Sequence, residues 1–175
     1  MSPAKLLGLA ALLLLTALVG TASAASVIGS PSDNRLRGTP AADVVLGLAG
    51  DDRVDAGDGD DTVHGDGSCP PGASNPSYCA TEEGDNDGDD RLDGGPGDDH
   101  VFGDGGNDVL NGGPGADELA GGSGSDVVLA VDGERDTIRC GPGLDLVLAD
   151  RRDEVARDCE LVLRPGARGW GSVHR

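Results

Sequence analysis

The sequence predicts an all-β fold made of short repeats stacked into a solenoid. Three observations carry that prediction. A nine-residue period runs from Gly29 to Leu148, and it keeps an acidic column and an aliphatic column in register. The composition fits: 175 residues with Gly 31 and only three aromatics, Tyr78, Phe102 and Trp170. So few aromatics cannot fill a broad globular core, whereas thin stacked layers can do without them. A disordered Gly/Asp linker would share this composition, but it would not hold two columns in phase.

Charge narrows the function classes. The formal net charge is -19, and of the 32 acids 26 are Asp. Such a chain does not bind nucleic acid through phosphates. An acidic surface under no other constraint would use Glu as readily. Asp with Gly favours tight turns and oxygen-ligated hard cations.

In chain order, residues 1–24 read as a secretory signal peptide. Lys5 is a short positive region, Leu6 to Val19 is apolar, and Ala22-Ser23-Ala24 supplies the small-residue cleavage pattern. The apolar run is short for a membrane span. The expectation is an exported, extracellular protein.

The repeat follows. Frames begin at Gly29, Gly38, Gly47 and Ala56, and a fifth runs from Gly65 to Asp93 around an insertion at about 68–87. Frames at Gly94, Gly103, Gly112 and Gly121 come next and, after one extra residue, Ala130, frames at Val131 and Cys140. Position 6 is Asn34 and then Asp43, Asp52, Asp61, Asp90, Asp99, Asp108, Asp117, Asp126, Asp136 and Asp145. Position 8 is always Val, Leu or Ile, from Leu36 to Val147. Positions 1 to 6 read as a Gly-rich turn. Positions 7 to 9 read as a three-residue strand that buries its middle side chain only when copies stack.

The best frames, G-G-P-G-D-D-H-V-F, G-G-P-G-A-D-E-L-A and G-G-S-G-S-D-V-V-L, resemble the RTX (haemolysin-type) calcium-binding nonapeptide G-G-x-G-x-D-x-U-x, with U a large aliphatic. The resemblance covers Gly29 to Leu148. It implies a parallel β-roll of about eleven frames, two frames to a turn, with several Ca2+ ions held between a turn and the turn two frames on. The implied ligands are the ten position-6 aspartates and the carbonyls of the turn glycines Gly94, Gly95, Gly97, Gly103, Gly105, Gly112, Gly113, Gly115, Gly121, Gly122 and Gly124. Asp99 with Asp117, Asp108 with Asp126, Asp126 with Asp145, and Asp61 with Asp99 are the foremost pairs. Calcium takes six to eight oxygens, which a Gly-rich turn with a short carboxylate can offer.

Four cysteines suit an oxidising compartment. Three connectivities are open, and the local pairs Cys69–Cys79 and Cys140–Cys159 are expected. The first would close a small loop within the insertion. Residues 25–148 are then the roll, 149–163 a C-terminal cap and 164–175 a tail. The cap is expected to lay Val155, Leu161 and Leu163 over an outward apolar patch of Val127, Leu129, Leu146 and Leu148. Asp85 to Pro96 starts like an EF-hand but lacks its Gly at position 6 and its Glu at position 12. There is no H-E-x-x-H, G-x-S-x-G or P-loop motif, and the three histidines read as solvent-facing filler. The expected function is a secreted, non-enzymatic calcium-binding protein that folds on binding the ion. The alternative is an extracellular surface or matrix interaction module in which calcium is purely structural and the partner is a protein or matrix component.

Overall fold

A computed structural model describes residues 23–66 and 88–165. The signal segment up to residue 22, the insertion with Cys69 and Cys79, and the tail from 166 lie outside the described residues. So does the proposed pairing of Cys69 with Cys79.

Fourteen strands, and no helix, are found among the described residues. They are β1 (Ser26–Ile28), β2 (Arg35–Arg37), β3 (Val44–Leu48), β4 (Arg53–Asp55), β5 (Thr62–Asp66), β6 (Arg91–Asp93), β7 (His100–Gly105), β8 (Val109–Asn111), β9 (Glu118–Ser123), β10 (Val127–Ala130), β11 (Thr137–Arg139), β12 (Leu146–Ala149), β13 (Glu154–Val155) and β14 (Leu161–Leu163). Odd-numbered strands form one seven-stranded sheet and even-numbered strands the other, each in sequence order. All pairings are parallel, and each strand joins the one two frames later. The architecture is the parallel β-roll.

The core is the position-8 column. Val45, Val63, Val101, Leu110, Leu119, Val128, Ile138 and Val147 are fully buried, and Val54 and Leu92 nearly so. Strands this short succeed because each middle side chain packs on the like residue above and below it. The insertion does not disturb the stack: Arg53 pairs with Arg91 and Val54 with Leu92 across it.

The structure corrects the sequence reading at three places. The roll is longer than eleven frames, because β1 precedes them and β13 and β14 follow, with Val27, Val155 and Val162 packed against the core. Residues 149–163 therefore continue both sheets. Leu161 and Leu163 do not cover the outward patch but extend it, in register with Leu146 and Leu148. Finally, Ala130 is not a spacer. It pairs with Ala149 and is buried at position 1, whereas Val131 is exposed, so the extra residue belongs inside the turn. Cys140 and Cys159 are joined by a disulfide with Cα atoms 5.1 Å apart.

Candidate metal-binding turns

Each turn is shaped by residues in the left-handed region. In the frame from Gly94 these are Gly95 (φ 104°) and Gly97 (φ 149°). The turns also stack closely. A Cβ on Gly97 would lie 1.8 Å from the Gly59 carbonyl oxygen, and one on Gly115 would lie 1.8 Å from that of Gly97. Glycine is therefore required twice over, for conformation and for approach. In the frame from Gly103 the left-handed glycine is Gly106 (φ 103°), while Gly105 lies in β7.

The position-6 side chains form two ladders. On one side, Ala25 N–H donates to Asp43 Oδ1 (2.5 Å), Asp43 to Asp61 (2.7 Å), Asp61 to Asp99 (2.7 Å), Asp99 to Asp117 (2.9 Å), Asp117 to Asp136 (3.0 Å) and Asp136 to Asp153 (3.3 Å). On the other, Asn34 donates to Asp52 (2.7 Å), Asp52 to Asp90 (2.7 Å), Asp90 to Asp108 (2.9 Å), Asp108 to Asp126 (2.9 Å), Asp126 to Asp145 (2.9 Å) and Asp145 to Glu160 Oε2 (3.1 Å). The four pairs singled out from the sequence are rungs of these ladders. Asp153 and Glu160 escaped the sequence reading. They stand two residues before Val155 and Val162, the spacing that marks position 6, but the frames there have shortened.

Each of these carboxylates spends Oδ1 on its rung. The Oδ2 atoms of Asp52, Asp61, Asp90, Asp99, Asp108, Asp117, Asp126, Asp136 and Asp145 are buried without a hydrogen-bond partner. A buried charged oxygen left unpaired is costly. At Gly47, Gly65, Gly94, Gly103 and Gly121, all at position 1, Oδ2 lies over the space a side chain would take, together with a main-chain oxygen from two frames on. A Cβ on Gly47 would sit 2.2 Å from both Asp52 Oδ2 and the Gly65 carbonyl oxygen. For Gly94 the distances are 2.5 Å to Asp99 Oδ2 and 2.7 Å to Gly112 O. Two hard oxygens thus converge above each such glycine. Among the described residues no three His, Cys, Asp or Glu side chains gather around one point, so a cation here would draw on main-chain carbonyls as well as carboxylates. That donor set suits calcium, an oxygen-seeking ion of high coordination number.

Electrostatics agrees with the geometry. Burial, reinforced by neighbouring carboxylates, pushes Asp52 and Asp136 up to about 6, Asp90, Asp99 and Asp117 to about 7, and Asp108 to about 9. Asp61, Asp126 and Asp145 are raised for the same reasons. Asp43 goes the other way: although burial opposes it, hydrogen bonds from Thr39 and Ala25 hold it below the ordinary carboxylate value.

Two further acids crowd the second ladder. Asp66 and Asp104 occupy position 2, where five frames have glycine, and their charges contribute to raising Asp108 and Asp90 respectively. Asp104 also meets His64 Nδ1 at 3.0 Å, and His64 stacks on Phe102 with centroids 4.7 Å apart. Asp104, His64 and Phe102 lie on the outside of the roll and are held by one another, whereas Asp66 is buried.

A family model of the RTX calcium-binding nonapeptide repeat matches the chain in four copies, at residues 27–67, 85–119, 96–128 and 111–147. Together these span more than half of the chain. No curated protein matches it.

Proposed function

The chain belongs to the RTX calcium-binding nonapeptide repeat family, and on that premise we propose that it is an exported, non-enzymatic β-roll that folds around several calcium ions. The observation that carries this reading is the set of nine buried, unpartnered Oδ2 atoms. Bound calcium would be the positively charged partner that these oxygens lack. Asp52, Asp61, Asp90, Asp99, Asp108, Asp117, Asp126, Asp136 and Asp145 are the carboxylate ligands. The turn glycines leave room for the ion and present their carbonyls. Asp43, already saturated by its own turn, is a structural residue.

In such a system binding free energy is folding free energy. Without the cation the stacked carboxylates repel, and their burial opposes assembly. Extracellular calcium modules bind at about 10⁻⁴–10⁻³ M, so the chain would stay open in calcium-poor cytosol and close after export. The Cys140–Cys159 disulfide supports an oxidising destination. Circular dichroism during a calcium titration tests the reading. β structure should appear with calcium, appear poorly with magnesium and vanish with chelator. Full β structure in excess chelator at neutral pH overturns it.

A second reading, an extracellular surface or matrix module with calcium purely structural, is favoured by the partly exposed aliphatic patch on the even-numbered sheet. Adhesion to extracellular material that needs that patch or residues 69–79, and that survives Asp→Asn changes once the roll is folded, would select it.

A further inference from the structure

Positions 7 and 9 point away from the core, and on the even-numbered sheet they form two rows along the solenoid. The position-7 row begins Arg35, Arg53, Arg91 and ends Val127, Leu146, Leu161. The position-9 row begins Arg37, Asp55, Asp93 and ends Leu129, Leu148, Leu163. Two features of this face are costly in a lone chain. Arg35, Arg53 and Arg91 stand in register on adjacent strands, about 4.8 Å apart, where like charges destabilise a sheet, and none of them is in an ion pair among the described residues. The six aliphatics also stay partly in water, with Leu161 42% exposed.

One operation relieves both. A two-fold axis parallel to the solenoid, set above the position-8 line, turns the face onto itself so that position 7 of one copy meets position 9 of the other at the same height. Arg53 then faces the second copy's Asp55, which within its own chain meets only the exposed Arg37 at 3.0 Å, and Arg91 faces its Asp93, which within its own chain accepts from Asn111 Nδ2 at 2.8 Å. Val127, Leu146 and Leu161 face its Leu129, Leu148 and Leu163. Two mismatches remain, Arg35 opposite Arg37 at the N-terminal end and Val109 opposite Asn111 in the middle of the face. We propose that a second copy of this chain docks on this face, giving a closed dimer packed sheet on sheet.

The odd-numbered sheet lacks this self-complementarity. The same operation there would set His100 on Phe102, Thr62 on His64 and Glu118 on Ala120. Sheet faces pack about 10 Å apart with strands roughly aligned, a gap that Leu side chains and Arg–Asp pairs can span. The strip is about 10 Å wide and roughly 30 Å tall, small for a specific interface. Its dissociation constant should be on the order of 10 µM.

The inference needs the folded roll but not any particular set of calcium ligands. Sedimentation velocity of the chain in calcium, from about 1 to about 200 µM, reads the mass, while circular dichroism checks that each variant keeps its β structure. The wild type should reach twice the monomer mass. Leu146→Asp should hold it monomeric. Arg53→Asp should weaken the dimer at least about tenfold, and the swap R53D/D55R should restore it, because the exchanged charges again face each other across the axis. The swap also stands as the test should Leu146→Asp fold poorly. A folded monomer at the highest concentration, an open-ended series of larger masses, a dimer indifferent to Leu146→Asp and Arg53→Asp, or a swap that fails to rescue each overturns the proposal.

Discussion

The first two turns of the roll and the nine that follow share one plan but complete their position-6 side chain differently. At Asn34 the turn closes on itself: Ser30 N–H donates to Oδ1 (2.5 Å), and Nδ2 donates to Ser30 Oγ (3.0 Å) and to the Ser32 carbonyl. At Asp43, Oδ1 accepts from Ala25 N–H and Thr39 Oγ1, and Oδ2 accepts from Thr39 N–H. In later turns the position-2 N–H is turned elsewhere. Gly95 donates to Gly112 O (3.0 Å) and Gly122 to Cys140 O (2.8 Å), and Oδ2 is left without a partner. The lesson is that one N–H decides whether a turn is complete by itself. Turned onto its own side chain, it saturates the carboxylate. Turned onto the next layer, it tightens the stack and opens a carboxylate oxygen to a cation.

The comparison can be pressed at four points. The tight stack of the later turns should tolerate no side chain: Gly115→Ala, with φ 151° and a carbonyl 1.8 Å from the new Cβ, should cost about 4 kcal/mol. Gly133→Ala, with φ 95° and nothing within 4 Å, should cost only about 1–2 kcal/mol. Denaturant melts in saturating calcium measure both, and equal losses would mean that stacking contacts are not what fixes these turns. Next comes the C-terminal clasp. Cys159→Ser, opening a bridge of sequence separation 19, should cost roughly 3 kcal/mol, lost from the calcium-loaded and metal-free states alike.

The third point addresses the two kinds of turn directly. Asp108→Asn should raise the calcium midpoint of folding about tenfold, since a ligand charge is removed, yet it should stabilise the metal-free roll at pH 8 by removing a buried charge. Asp43→Asn should cost about 1 kcal/mol in hydrogen bonding and move the midpoint far less, through that destabilisation alone. If the two variants shift the calcium curve alike, the division between turn classes fails. The smallest effect is on the metal-free chain. Carboxylates whose folded pKa is raised above the ordinary 3.8 bind more protons folded than unfolded, so their contribution is fully present below that value and lost as pH climbs through about 6 to 9. Metal-free β structure should therefore increase on acidification from pH 8 towards 4, which circular dichroism in excess chelator across that range reads. β content that rises with pH in chelator would reverse the sign.

Much of this was legible in the chain because a nine-residue period imposes the same surroundings on the same position. Val45 and Val147 share a column for the reason that Asp52 and Asp145 share a ladder, and the local Cys140–Cys159 bridge follows from adjacent layers. What escaped lies where the period fails. Val147, Val155 and Val162 lie eight and then seven residues apart, so β13 and β14 slip out of phase although their inward residues keep to the core. Ala130 was misplaced because an extra residue within a turn looks the same in sequence as one between frames. The closing of the first two turns depends on where single N–H groups point, and Ser30 and Thr39 at position 2 are its only trace in the sequence.

Every rung of the carboxylate ladders points the same way, with the donor in the earlier frame and the acceptor in the later one. The solenoid therefore has a polarity, and its two ends are unlike. Trimming the first layer bares a carboxylate oxygen, which water or a cation can satisfy. Trimming the last bares the amides of Asp136 and Asp145, now held by Asp153 and Glu160, which water or another acceptor can satisfy but a cation cannot. Glu160, one methylene longer than the aspartates it succeeds, reaches across a shortened frame to accept the last of these amides. It serves as the full stop of a chain of bonds that could otherwise go on adding layers.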